Sequence, residues 1–231
     1  MAVLELRDDT AVAAVVLAAG TGSRMGRTKQ LLPYEGAPLL QAAIDAAVAS
    51  DVLEVVVVLG YRADEIRKAV EMPTGKPLRF VVCLDYAEGQ SASLACGLRS
   101  VSDNVSAAAV LLGDQPDVDS QFISRVVAAW RESFEPITRP VFISEDGERV
   151  PGHPVVLERS VWGVLAEQTG DDGPRKWLRA HPEFLSEVEI TRTAPGDVDT
   201  WEDYLRIANR NERLDGAGSK RNTIRKTARR K

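Results

Sequence analysis

The chain is poor in the residues that make metal clusters and disulfide frameworks: 231 residues hold two cysteines and two histidines. Cys83 lies in an apolar strand-like run and Cys96 in a small-residue helical stretch, without C-x-x-C spacing. Both read as reduced core residues rather than ligands or a disulfide. With His153 and His181 the only histidines, a zinc site is not expected. Long apolar runs are also missing. The longest uncharged one, Ala11 to Gly20, is too short to span a membrane. Acidic residues appear by Glu5, so the N-terminus does not read as a secretory signal, and the expected location is cytoplasmic. The end of the chain lacks acid altogether. Gly216 to Lys231 carries seven Lys or Arg, so the formal charge of −5 for the whole leaves −12 on residues 1–215. Such a composition predicts a disordered, solvated tail over 215–231. An acidic body argues against nucleic acid as the main substrate.

Two familiar phosphate loops are absent as well. The segment Gly20-Thr21-Gly22-Ser23-Arg24-Met25-Gly26 places its third glycine one residue late for the dinucleotide fingerprint G-x-G-x-x-G. Counting to a Walker A glycine reaches Met25 from Gly20 and Arg27 from Gly22, so that loop fails too. What remains is a glycine-rich loop after the apolar run Ala11–Leu17, with Arg24, Arg27 and Lys29 at its far end. Backbone N–H groups of such a loop, followed by cations, suit a polyphosphate. A flexible turn has the same glycines.

Hydrophobic content of 44% and charged content of 27% are ordinary for a globular chain. Strand-like runs at Ala11–Leu17, Glu54–Leu59, Leu78–Leu84 and Ala107–Leu112 alternate with helical stretches near Pro38–Ser50, Ala63–Val70, Ser91–Val101 and Ser120–Ser133. Continuous apolar strands separated by helices predict an α/β fold, a mostly parallel sheet covered by helices on both faces. The second half is more mixed, with short strands at Val141–Ser144, Pro154–Leu157 and Leu185–Ile190. Helical patterns follow at Ser160–Gln168, Pro174–Ala180 and Thr200–Leu214. Residues 1–214 read as one domain, with a substrate-side subregion around 136–190.

In parallel sheets ligands bind beyond the C-terminal strand ends. The glycine loop falls there, and so does Asp114, in Gly113-Asp114-Gln115-Pro116 after Leu112. Alone, Asp114 reads as a loop-capping residue. Beside a phosphate loop it becomes the preferred magnesium ligand, because that hard cation is commonly held by one or two carboxylates plus phosphate oxygens. Asp117 and Asp119 read as turn and N-cap residues. Asp197-Val198-Asp199-Thr200-Trp201-Glu202-Asp203 is either a helix cap completed by Glu202 or a second source of metal carboxylates. In Glu88-Gly89-Gln90-Ser91-Ala92-Ser93, a helix start could meet ribose, base or phosphate, with Ser91 as its cap.

The stretch L-A-A-G-T-G-S-R-M-G-R-T-K-Q-L-L-P resembles the signature of the MobA-like nucleotidyltransferases. That family includes the molybdenum cofactor cytidylyl- and guanylyltransferases, and the L-A-A-G form looks like the cytidylyl branch. The resemblance implies a Rossmann-like, GT-A-like fold. It implies a nucleotide site of Leu17, Ala18, Ala19, Gly20, Gly22, Ser23, Arg24 and Lys29, joined by Gly89, Ser93 and Asp114, with Gln90 a weaker match. G-D-Q-P and D-V-D-T-W-E-D resemble the family's metal motifs, which makes Asp114 and Asp199 the magnesium positions and Asp197 a supporting residue. Gly152-His153-Pro154 and Gly170-Asp171-Asp172-Gly173-Pro174-Arg175 resemble its acceptor side, at Gly152, His153, Gly173 and Arg175. Pro174 departs from that pattern. His181 has no such support and reads as a surface residue.

The implied reaction is magnesium-dependent transfer of CMP from CTP to a phosphate of molybdopterin, with Arg24, Lys29 and Asp114 catalytic. A molybdoenzyme is the implied partner. The rivals are GTP or a sugar or polyol phosphate in the same chemistry, and a non-catalytic protein that delivers cofactor through the basic tail.

Overall fold

The computed structural model describes residues 10–22, 25–133 and 135–208. The first half alternates as the apolar runs predict. Strand β1 (Val12–Ala18) is followed by a two-stranded hairpin, β2 (Pro33–Tyr34) and β3 (Ala37–Pro38), and by α1 (Leu39–Ala49). Then come β4 (Glu54–Leu59), α2 (Ala63–Ala69), β5 (Leu78–Val82), α3 (Gln90–Arg99), β6 (Ala107–Leu112) and α4 (Ser120–Glu132). The second half adds β7 (Ile137–Ile143), β8 (Arg149–Pro151), β9 (Val155–Glu158), α5 (Trp162–Ala166), α6 (Gly173–Ala180) and β10 (Leu185–Ile190). A further helix covers residues 201–208, where the described chain ends.

One sheet joins all of these strands except the β2–β3 pair, in the order β10-β7-β9-β6-β1-β4-β5, with β8 paired to β7 outside that path. β6, β1, β4 and β5 run parallel, whereas β9 is antiparallel to both β6 and β7. Side chains alternate across the sheet. Val12, Ala14 and Val16 of β1 therefore join Leu40 and Ile44 of α1, Ile66 of α2 and Trp130 of α4 in one core layer. Ala13 and Val15 join Leu94 and Leu98 of α3, Trp162 of α5 and Leu178 of α6 in the other. Burial on both faces is why β1, β6 and, after Glu54, β4 are apolar rather than alternating. Helix α4 starts at Asp119, whose carboxylate accepts the Phe122 N–H at 2.7 Å, as its N-cap position predicts. Its apolar stripe Phe122, Ile123, Val126, Val127 and Trp130 has helical spacing.

Several boundaries differ from the sequence reading for identifiable reasons. β7 begins at Ile137, four residues before the pattern suggests, and runs straight through Pro140. Its partner changes there from β9 to β8, and the Pro140 carbonyl accepts the Gly152 N–H at 3.0 Å. The missing proline N–H thus falls where the ladder is broken anyway. Strand β8 is exposed at all three residues and has no apolar signal to find.

Trp130 is fully buried in the α1/α4 layer. Trp130→Ala should cost about 3–5 kcal/mol, lowering the thermal midpoint by roughly 6–20 °C for a domain of this size. A drop below about 3 °C in calorimetry would contradict the role given to this layer.

Candidate active site

The chain path fixes where the site lies. From β1 the sheet grows one way through β4 to β5, with α1 and α2 on one face, and then returns through α3 on the other face to β6 beside β1. The direction reverses between β1 and β6, and their C-terminal ends open a crevice there. The loop 19–28 leaves β1 at that edge and Gly113-Asp114 leaves β6, so both are delivered to one place by topology.

The glycine loop folds back on itself. Gly22 has φ +61°, and a Cβ there would run into the Arg27 carbonyl oxygen. The Met25 N–H donates to the Gly22 carbonyl at 3.1 Å. Met25 is an anchor rather than a spacer, buried with Leu32, Leu39, Val198 and Ile207. That small core ties the loop to the segment 197–199. Ser23 and Arg24 lie outside the described residues. Arg27 stands 5.9 Å from the Trp201 ring centroid and not among the residues lining the crevice, so it does not add its charge there as its position in sequence suggests.

At the centre stands Lys29, in a short 3-10 turn (Lys29–Leu31). Its ammonium donates to the Asp114 carboxylate in a very short contact and to Asp199 Oδ1 at 2.9 Å. Burial alone would lower the Lys29 pKa, and the two carboxylates outweigh it and hold it above its usual value. Burial raises the pKa of Asp114. Lys29 opposes this only in part, and the charge of Asp197 adds to it. The asymmetry has a simple origin: the lysine faces two carboxylates, while the aspartate faces one cation and a second anion.

Asp199 is available to Lys29 because its neighbours carry the cap. Thr200 Oγ1 accepts the Asp203 N–H at 3.2 Å, and Asp203 Oδ2 accepts the Thr200 N–H at 2.9 Å. This reciprocal box uses Asp203, not Glu202 as the sequence suggests. Backbone contact holds the two acidic segments together, the Val198 N–H donating to the Asp114 carbonyl at 3.1 Å. Gln115 Nε2 donates to Asp197 Oδ1 at 2.6 Å.

A crevice of about 490 Å³ surrounds this cluster. The structure brings Leu17, Ala18, Ala19, Gly20, Gly22 and Lys29 to it from the first loop. Gly89, Gln90 and Ser93 reach it from the start of α3, and Asp114, Asp199 and Arg175 from elsewhere. Thr21, Gln30, Tyr86, Ala87, Asp171, Asp172 and Asp197 line it too. The start of α3 is closed differently from expectation, because Ser91 does not cap it. Gly89 holds the N-cap position, and the Gln90 N–H donates to Asp171 Oδ1 at 2.9 Å. Ser91 Oγ donates to the Gly170 carbonyl. Gly89, at φ +111°, lets the two loops touch; a Cβ there would sit 2.7 Å from the Gly170 carbonyl carbon.

A second cavity of about 430 Å³ adjoins the first, sharing Leu17, Gln90, Leu112, Asp171, Arg175 and Asp197 with it. Gly152, His153 and Arg175 line it over an aliphatic floor including Leu94, Val110, Leu157 and Leu165. Gly173 is the first residue of α6, which presents Pro174, Arg175 and Leu178 to this cavity. His153 Nδ1 lies 3.1 Å from the Val110 carbonyl, which can only accept, so Nδ1 carries the proton. Burial pushes the His153 pKa down and the charge of Arg175 adds to that, against weaker opposition from Val110 and Asp197. The ring is neutral near pH 7. His181 is half-buried rather than a free surface residue, stacking on Trp177 at 4.3 Å, and lines neither space. Among the described residues no group of three or more His, Cys, Asp or Glu side chains forms a closed metal site. No helix in the described residues is long and apolar enough to cross a membrane.

Comparison with known proteins bears on the family and the fold. The MobA-like NTP transferase domain matches residues 14–184. The nicotine blue oxidoreductase of Paenarthrobacter nicotinovorans is 32% identical over 201 residues, covering 85% of this chain and 96% of that one. The molybdenum cofactor cytidylyltransferase of Escherichia coli (strain K12) is 22% identical over 201 residues, covering 87% and 97%. Among solved structures, Rv0371c of Mycobacterium tuberculosis H37Rv in complex with manganese is 31% identical, with a TM-score of 0.70 over 87% of this chain and 99% of that one.

Proposed function

Because the chain belongs to the MobA-like NTP transferase domain family, we propose that it is a magnesium-dependent nucleotidyltransferase passing CMP from CTP to the terminal phosphate of molybdopterin, with release of pyrophosphate. The observation that carries this reading is the Lys29 ammonium gripped by Asp114 and Asp199 at the mouth of β1 and β6. Among the described residues the crevice lining includes five aspartates, Asp114, Asp171, Asp172, Asp197 and Asp199, against the cations Lys29 and Arg175. A polyphosphate enters such a space only with added positive charge. Two carboxylates close enough to share one ammonium form the oxygen donor set that magnesium takes together with phosphate oxygens. The manganese complex of Rv0371c supports a divalent cation in a protein of this shape.

Asp114 and Asp199 would hold the magnesium, and when bound it neutralises charge developing on the reacting phosphate oxygens. The remaining work belongs to the chain. The N–H groups of the loop after Ala18 receive the phosphates, and Lys29, displaced from its carboxylates, meets the departing pyrophosphate. Arg24 is placed by the same reading at the triphosphate. Gly89 and Ser93 border the nucleoside, and Ala19 favours cytosine over guanine by the family pattern. The acceptor occupies the cavity of Gly152, His153, Gly173 and Arg175, with its phosphate directed at the first crevice. A phosphate monoester, with a second pKa of about 6, is already ionised near neutral pH and needs no base to attack. Catalysis comes from positioning and charge neutralisation.

The likeness to the nicotine blue oxidoreductase supports a second reading, a redox reaction on a nucleotide in the same crevice. Lys29 between two carboxylates has no evident task in hydride transfer, which favours nucleotidyl transfer. The deciding assay follows pyrophosphate from CTP, magnesium and molybdenum-loaded pterin, with GTP and sugar or polyol phosphates as alternatives. A parallel arm follows NADH and NADPH oxidation with a dye. Pyrophosphate with CTP and pterin is the expected result. Release only with another pair changes base or acceptor. Dye reduction without pyrophosphate sinks the transfer. Tight cofactor binding with neither, lost on deleting residues 216–231, would mark a delivery protein.

A further inference from the structure

Gln30 belongs to the crevice yet has no role in the reaction just described. Its side chain is almost wholly enclosed, 2% exposed. Nε2 donates to the Ala18 carbonyl at 3.1 Å and to the Gly20 carbonyl at 3.1 Å. Between those two, the Ala19 carbonyl accepts the Tyr61 N–H at 3.2 Å, and just before them the Leu17 carbonyl accepts the Gly113 N–H at 2.9 Å. Four successive carbonyls, from the end of β1 into the glycine loop, are thus engaged by donors of the protein itself. An anion approaching this loop then meets N–H groups without competing carbonyl oxygens, the polarity on which backbone anion sites depend.

The other end of the amide makes the case stronger. Gln30 Oε1 is buried without a hydrogen-bond partner. A residue kept only to fill space would avoid that penalty, since an apolar side chain of equal length leaves no polar atom unpaired. Glutamine is retained here for its two N–H groups. It also follows Lys29 directly in the same 3-10 turn. The hydrogen bonds that fix the loop therefore fix the backbone that carries the ammonium.

We propose that Gln30 is a positioning residue that sets the donor polarity of the glycine loop and clamps the Lys29 turn to it. This rests on the nucleotide reading of the crevice but not on the identity of the acceptor. The test uses the full chain, CTP and magnesium without acceptor, and titration calorimetry on wild type, Gln30→Met and Gln30→Glu. Methionine keeps the length and removes both donors. Glutamate keeps the shape and sets a carboxylate against two carbonyls. CTP should bind at least about tenfold more weakly to Gln30→Met and more weakly still to Gln30→Glu, a change of about 1.4 kcal/mol per tenfold. In turnover the loss should fall on KM for CTP rather than equally on kcat, as expected for an interaction present before the chemical step. Either folded variant suffices for the comparison. Affinity within about twofold of wild type in a folded variant, or a wild type that binds no CTP, overturns the role of Gln30. A wild type that binds CTP through Gln30 but never releases pyrophosphate counts against the transfer reaction alone.

Discussion

Asp114→Asn is expected to lower the rate of pyrophosphate release by about a thousandfold or more, equivalent to roughly 4 kcal/mol of barrier, while leaving the fold as stable as before. The two halves have separate origins. Asparagine keeps the size of the side chain and one oxygen acceptor, but it loses the charge that pairs with Lys29 and that would hold magnesium. Stability follows from the raised pKa of Asp114, caused first by burial and then by the nearby charge of Asp197. When the folded-state pKa lies above the unfolded one, the ionised group weakens the fold at pH above the folded value. That weakening disappears as pH falls through it. Asparagine is neutral at every pH and escapes it. Lys29 loses one partner but keeps Asp199 at 2.9 Å. The thermal midpoint near neutral pH should stay within about 3 °C of wild type or rise. Steady-state assays with CTP and differential scanning calorimetry check both halves. A rate within about tenfold of wild type removes Asp114 from the centre of the reaction.

How much of this was readable depends on how locally each feature is determined. β1, β4 and β6 were legible because both faces are buried, which makes β1, β6 and the Val55–Leu59 part of β4 apolar at every position. The parallel order and the meeting of the first loop with Asp114 followed from that alternation. β7 was half-missed because Pro140 looks like a strand end, and only the change of partner from β9 to β8 makes it harmless. The capping of the last helix was misassigned by one residue, since Glu202 and Asp203 both suit a capping box and only the backbone turn selects between them. Asp171 could not be found as the partner of Gln90, because the two lie 81 positions apart and Asp171 reads locally as a turn residue. Gln30 was passed over for the opposite reason. It stands in the recognised segment but carries no charge, and its importance lies in two carbonyls that only the folded loop brings near.

Lys29→Met should produce the second large effect, on activity and on stability together. Removing the ammonium takes from Asp114 and Asp199 the cation they share. Breaking a buried pair by deleting one partner commonly costs about 3–5 kcal/mol, because the remaining charge is stranded. Here Asp199 is 40% exposed at its side chain and can turn to water, so the lower end of that range is expected. In wild type the raised Lys29 pKa means its contribution is complete below the unfolded value and is lost only as pH rises through the folded one. The variant should respond to acid more strongly than wild type, through Asp114. Without Lys29 the burial of Asp114 is unopposed, its pKa rises further, and the fold gains stability as pH falls and the carboxyl takes up a proton. The thermal midpoint of Lys29→Met should therefore climb as pH falls, and over a higher pH range than the smaller climb that the raised Asp114 pKa gives wild type. Magnesium should stabilise the variant more than wild type, since it no longer has to displace an ammonium from Asp114 and Asp199. Transfer should still be about a hundredfold or more slower, because the same cation is assigned to the leaving pyrophosphate. A variant with a pH-independent midpoint and no gain from magnesium would mean that the two carboxylates do not share a cation site.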